Sequence, residues 1–232
     1  AQYYARLNHI DEAEHVLRSA IKALPEERDL KVALVSLLAA HRGRDAAAKE
    51  LDAMIASEPK NDELKLAQAQ FYEQGKQEAQ AEAIYQRVIA EAGSAPAGFM
   101  ARNRLAVLRI QKNDIAGAEK LLAEVLEKNP RDNDALILRG NLSLAQKDPK
   151  AAIVDLRAVL RDQPNASGVM RALARAHLAN GEPALAEETM RRAVDANPSD
   201  PGARLDLAQL LAQLGKPEQA KPVIDELVKQ HP

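Results

Sequence analysis

The sequence has no cysteine and no tryptophan, and aromatic residues make up only 3% of it. Without thiols there are no disulfides, no thiolate catalysis and no cysteine-based zinc sites. Enzyme pockets usually draw on aromatic walls, so the shortage of rings leans away from one. An excess of one charge is also missing. The 32 basic and 34 acidic side chains leave a net charge of −2, and neither half is strongly basic. Binding to nucleic acid or to an anionic membrane surface therefore has little electrostatic support. No run of about eighteen apolar residues occurs, so no membrane span is expected. There is no G-x-S-x-G and no glycine-rich phosphate loop. No two of His9, His15, His41, His177 and His231 stand at helical ligand spacing, and His177 reads as a packed core histidine. No catalytic residue, cofactor or metal ligand is expected. The chain opens at Ala1 with neither a Met nor a signal-like segment, as expected of a mature form or a piece of something longer.

What is present is alanine and leucine in a strict rhythm. Hydrophobic residues make up 46% of 232 residues, enough for a folded chain. Alanine stands at Ala13, Ala47, Ala81, Ala118, Ala152, Ala186 and Ala220, at intervals of 34, 34, 37, 34, 34 and 34. Four residues on come Leu17, Leu51, Tyr85, Leu122, Leu156, Met190 and Ile224, with further apolar residues at seven and eight. This is one apolar helix stripe, repeated seven times. Twelve residues after each alanine comes a breaker: Pro25, Pro59, Gly93, Pro130, Pro164, Pro198 and Pro232. Proline stops a helix because it lacks the amide proton and clashes with the preceding turn. The exception, Gly93, coincides with the long interval, so residues 93–98 read as an enlarged, mobile loop that absorbs three extra residues. A second small position lies twelve before each alanine: Ala1, Val35, Ala69, Ala106, Gly140, Ala174 and Ala208. Breakers such as Gln74-Gly75-Lys76 and Lys147-Asp148-Pro149 separate the two helices of a unit. Tyr3, Tyr4, Phe71, Tyr72 and Tyr85 fall on helix-contact positions and read as core.

The period, the paired small residues and the closing proline resemble the tetratricopeptide repeat family. The segment from Leu136 to Pro164 is among the closest matches, and the resemblance covers essentially the whole chain. It implies an all-α, right-handed solenoid of stacked antiparallel helix pairs. The units would be a truncated repeat at 1–27, then 28–61, 62–98, 99–132, 133–166, 167–200 and 201–232. That makes thirteen full helices and one cut short, since each pair buries its apolar face only by stacking on the next. The family often places an aromatic near the start of the first helix. Here that place holds Lys31, Lys65, Arg102, Leu136, Met170 and Arg204, and long basic stems can lie along apolar surface.

The resemblance also implies a protein or peptide partner held on the wall made by the first helices. At about 100° per residue, positions 4, 7, 8 and 11 of these helices point into the stack, and positions 2, 5, 9, 12 and 13 face outward. The candidate wall residues are Asn103, Val107, Ile110, Ile137 and Asn141, continuing with Leu144, Arg171, Arg175 and Leu178. Amides suit an extended peptide backbone, the aliphatics suit a leucine or phenylalanine, and an arginine pair four apart suits a carboxylate or phosphate. The three-repeat Lys/Asn/Arg clamp with which some family members hold chaperone termini is not found. The Ala/Arg/Leu-rich style also resembles bacterial repeat proteins of exopolysaccharide export and cell-envelope biogenesis, which would favour the periplasm. The apolar stripe Val223, Ile224, Leu227 and Val228 suggests end-to-end self-association. The repeated alanine generates a test. Ala152→Leu should overpack a contact that every unit keeps small, lowering stability by about 1–3 kcal/mol. An unchanged urea midpoint would refute the contact.

Overall fold

The computed structural model describes residues 1–230, so the closing Pro232 lies outside the described residues. Among these there are fourteen helices and no strand. The chain divides into two compact units, 1–114 and 115–232. The first contains α1 (Gln2–Arg6), α2 (Ile10–Ala23), α3 (Arg28–His41), α4 (Arg44–Ser57), α5 (Asp62–Gln74), α6 (Glu78–Ala92) and α7 (Pro96–Gln111). The second contains α8 (Ile115–Lys128), α9 (Asn133–Ala145), α10 (Pro149–Asp162), α11 (Ser167–Ala179), α12 (Pro183–Ala196), α13 (Pro201–Gln213) and α14 (Pro217–Gln230). Thirteen helices are full length, and α1, at five residues, is the shortened one. Within each unit every helix packs on its sequence neighbours, and alternate helices also touch: α3 with α5, α5 with α7, α9 with α11, α11 with α13.

The helix starts follow from local chemistry. Pro96, Pro149, Pro183, Pro201 and Pro217 each occupy a first helical position, where the missing amide proton costs nothing. Side-chain oxygens of Asn61, Asp132 and Asp148 accept the amide protons of Leu64, Ala135 and Ala151 at 3.2, 2.9 and 3.1 Å. These N-caps satisfy donors that the helix itself leaves free. Short breaks between helices use a residue with positive φ: Asn8, Gly43, Lys76, Asn113, Lys147, Gly181 and Gly215 supply it, at φ between +58° and +93°.

The core is the alanine-centred stripe. Ala13, Ala47, Ala81, Ala118, Ala152 and Ala186 are completely buried, and so are Tyr85, Leu122 and Leu156, which stand four residues after three of them. Burying each leucine contributes about 1.5–3 kcal/mol. The basic residues at the usual aromatic place do pack inward: Lys31 is 3% exposed, Lys65 2% and Arg204 8%. The ammonium of Lys31 meets Glu58 at 2.6 Å, and that of Lys65 meets Asp62 at 2.8 Å and also Glu91. A stem thus fills apolar space while its head reaches a carboxylate at the mouth.

Two expectations are corrected. Residues 93–98 do not form an enlarged loop. Only Gly93, Ser94 and Ala95 connect α6 to α7, and the extra residues lengthen these helices to 15 and 16 residues. Gly98 is buried in α7, and a Cβ there would lie 2.2 Å from the carbonyl oxygen of Gly93. Arg102 donates from Nη1 to the same carbonyl at 2.7 Å. Helix α7 therefore also crosses the expected repeat boundary at 98/99. Second, Tyr3 is 71% and Tyr4 37% exposed, because α1 is too short to complete a hairpin face over them. Phe71 and Tyr85 are core, and Tyr72 packs against it partly buried. At the break between α5 and α6, positive φ falls on Lys76, while the adjacent Gly75 has a φ of −82°. The glycine instead leaves space for the Arg44 guanidinium, which lies 4.1 Å from the Phe71 ring centroid.

The left-handed residues generate a prediction. A side chain in that conformation costs about 1–2 kcal/mol, and glycine's extra freedom in the unfolded chain takes part of this back. Lys147→Gly should therefore raise stability by roughly 0.5–1 kcal/mol. A urea midpoint that stays put or falls would contradict the assignment.

Candidate partner-binding wall

In the C-terminal unit, α9, α11 and α13 are consecutive first helices. Their ninth positions, Asn141, Arg175 and Gln209, are all exposed. Asn141 and Arg175 make no hydrogen bond or ion pair with any described residue. Beside them Ile137, Leu144 and Leu178 are half-buried, while Leu205 is 46% exposed. The result is a line of free amide and guanidinium groups bordered by aliphatic steps.

The structure separates the two arginines that the sequence pairs. Arg171 is not free: its Nε donates to Asp206 Oδ2 at 2.7 Å and its Nη1 to Asp200 Oδ2 at 3.4 Å. The hydrogen bond that Arg171 donates to the Asp206 carboxylate, ahead of burial, governs its balance and raises its pKa further. Gly202 leaves room for this, since a Cβ there would lie 3.0 Å from Arg171 Nη1. Arg171 is thus a tie between successive first helices, and Arg175 alone faces outward. The signal was present in the sequence, where Asp206 stands one repeat and one residue after Arg171.

The N-terminal unit presents a different wall on α3, α5 and α7. A cavity of about 370 Å³ between α5 and α7 is lined by Gln70, Gln74, Arg104 and Gln111. Beneath it the fully buried Tyr85 donates to Glu73 Oε2 at 2.9 Å. Burial, and then that carboxylate, push the phenol pKa up. Val107 and Ile110 are half-buried. Asn103, expected on the open wall, is only 5% exposed. Leu66, at the same fifth position of α5, is 2% exposed. At about 100° per residue, the fifth and twelfth positions lie only about 40–60° from the buried eighth. They form the seam between neighbouring first helices, and the ninth and thirteenth form the outward arc.

His177 is the packed histidine that its position suggests, 2% exposed, with Nδ1 at 2.5 Å from Glu182 Oε2 and Nε2 at 3.5 Å from Arg157 Nη2. That hydrogen bond lowers the Glu182 pKa. Among the described residues no group of three or more histidine and carboxylate side chains is placed to hold a metal ion. No described helix is long and apolar enough to cross a membrane.

Two tetratricopeptide repeat family models match the chain, one over residues 32–96 and 103–167, the other over 143–200 and 178–232. The chain belongs to the tetratricopeptide repeat family. Cellulose synthase operon protein C of Xanthomonas axonopodis pv. citri (strain 306) is 33% identical over 141 residues, covering 61% of this chain. The match spans only 9% of that protein. Among solved structures, a tetratricopeptide repeat protein of Parabacteroides merdae aligns over 100% of this chain and 90% of its own, with TM-score 0.65 at 14% identity. The Cut9–Hcn1 hetero-tetramer of the APC/C contains a chain matching with TM-score 0.69 at 13% identity, over 96% of this chain and 43% of that one. MamA of Desulfovibrio magneticus RS-1 matches with TM-score 0.63 at 17% identity, over 74% of this chain and 95% of its own. At these identities the likeness is one of fold: stacked helix pairs.

The two arginines should part company on mutation. Arg171→Ala should lower stability by about 0.5–1.5 kcal/mol by stranding Asp200 and Asp206, while Arg175→Ala should leave the urea midpoint unchanged. Equal effects would show that the two share one environment.

Proposed function

We propose that the chain is a protein-interaction scaffold that holds an extended peptide or a short helix of a partner on the first-helix wall of its C-terminal unit. The observation that carries this reading is the exposed line Asn141, Arg175 and Gln209. Asn141 and Arg175 are polar groups without internal partners, set beside Ile137, Leu144 and Leu178. An amide offers both a donor and an acceptor to a peptide backbone, Arg175 offers a fork for a carboxylate, and the aliphatics offer shallow seats for apolar side chains. Arg171 supports the wall from within, and Asn103 is set aside because it is buried. Nothing in this arrangement supplies a nucleophile–base pair, so a binding role accounts for it more simply than catalysis.

A second reading rests on the relative in a cellulose synthase operon. It makes the chain one segment of a longer repeat protein serving a bacterial exopolysaccharide machine, with the wall gripping another component of that machine. The share of the relative that is matched, 9%, supports a segment of an array and leaves the machine's chemistry to other parts.

The test is selection of displayed peptides on the purified chain, followed by calorimetry with synthetic copies. Asn141→Ala combined with Arg175→Ala should weaken binding by tenfold or more, with thermal unfolding unchanged. Selected peptides that bind both proteins equally would sink the proposal.

A further inference from the structure

The opposite side of the C-terminal unit carries a second groove, walled by the second helices α10 and α12 and floored by α11. Its volume is about 650 Å³. On α10 the wall is Val154, Arg157, Ala158 and Arg161, with Leu160 beside them, and on α12 it is Leu185, Glu188, Thr189 and Arg192. Both sets have the spacing i, i+3, i+4, i+7, one stripe of a helix. Each stripe begins with an aliphatic residue and ends with an arginine. Helices α10 and α12 are both joined to α11 by short connections, so they run the same way. The groove is therefore apolar at one end, where Val154 is 68% and Leu185 39% exposed, and cationic at the other. The completely apolar Leu173 and the buried His177 line its floor.

Several basic heads of the C-terminal unit are matched within the fold: Arg139 forks onto Asp155, Arg171 ties to Asp206, and Lys216 meets Glu187. At the groove, Arg161 and Arg192 make no hydrogen bond or ion pair with any described residue. The hydrogen bond of Arg157 goes to the imidazole of His177, at 3.5 Å. Glu188 is the single carboxylate among the lining residues. Three guanidinium groups against one carboxylate give a local excess of positive charge, in a chain whose net charge is −2. The arginines are held beside apolar surface, where a carboxylate interacts with them more strongly than in open water.

We propose that this groove is a second docking site, distinct from the first-helix wall, for an acidic amphipathic helix of a partner protein. The helix lays aliphatic side chains between Val154 and Leu185, and carboxylates about two turns along it meet Arg161 and Arg192. Parallel grooves between second helices match the i, i+4, i+7 side chains of such a helix in the same way that helices pack on helices. Occupation of both faces would let one chain bridge two proteins.

The test uses a synthetic sixteen-residue helical peptide with leucines at i and i+4 and glutamates at i+7 and i+11, and its counterpart with lysines for the glutamates. Binding is read by calorimetry and by NMR shifts of the isotope-labelled full chain. The acidic peptide should bind, with shifts concentrated on α10 and α12. Arg161→Glu with Arg192→Glu should weaken it by tenfold or more and in turn admit the lysine peptide. Asn141→Ala with Arg175→Ala should leave it unchanged, so that failure of this site and failure of the first-helix wall are told apart. Both peptides binding both proteins alike, or shifts falling on α9 and α13, would overturn the proposal. So would sedimentation of the chain with phosphatidylglycerol vesicles that the charge reversal abolishes and the peptide does not compete. Concentration-dependent self-association with that same behaviour would replace the partner helix with a second copy and equally overturn it.

Discussion

Everything in this molecule depends on how closely one helix of a pair can lie on the next, and that is set by the size of a single side chain. The recurrent alanine is completely buried at Ala13, Ala47, Ala81, Ala118, Ala152 and Ala186. Opposite it stands another small residue, and in α9 even alanine would be tight. A Cβ on Gly140 would lie 3.2 Å from Leu156 Cγ. Close approach lets leucines on both sides interdigitate at interior density. A repeat array has no central core, so each such contact is renewed from one unit to the next. The aromatic payload that many cores rely on is thereby dispensable, and a chain with 3% aromatic residues folds.

Polar ties complement that packing wherever the apolar pattern lapses. Arg139 occupies a seventh position where most units have leucine, and it forks onto the buried Asp155 with two bonds of 2.8 Å. Gln68, also at a seventh position, donates to Asp52 at 2.6 Å. Near the start of α12, Glu187 receives Lys216 from beyond the next first helix at 2.6 Å. In α6, Glu82 receives Lys112 at 2.9 Å, and in α8, Glu119 receives Gln146 at 2.7 Å. These recurring ties reach from a second helix to the far end of the following first helix. They are specific to register, since a slip of one residue would separate donor from acceptor. Asn141 and Arg175 on one face, and Arg161 and Arg192 on the other, take no part in such ties.

The fold class, the helix count and the family were legible because each rests on spacing, and spacing survives in a linear string. The outward faces of Asn141 and Arg175 were legible for the same reason, since the ninth position lies far round the helix from the buried eighth. Asn103 and Arg171 were misplaced because the fifth position sits at the seam. Whether it opens to solvent depends on the neighbouring helix, and Asp200, Asp206 and Gly202 belong to that neighbour. The groove between α10 and α12 escaped notice because the single-helix wheel marks its residues merely as the exposed side of each helix. Only placing two such sides together reveals a matched pair of stripes.

By itself the sequence determined the alternation of helix and break, the small residues that bring the helices together, and the absence of thiol and phosphate-loop chemistry. These are local or periodic properties, decided by backbone sterics and side-chain volume. Tertiary structure decided where an inserted length of chain would go. Residues 96–98 became the first turn of α7, and Gly98 came to rest on the carbonyl of Gly93, because a helix in contact on both sides gains more than a loop in solvent. It also decided which charges are spent, turning Lys31 and Lys65 into core stems and Arg171 into a tie. Pairing depends on distance across neighbouring repeats, and distance across repeats exists only once the helices are stacked.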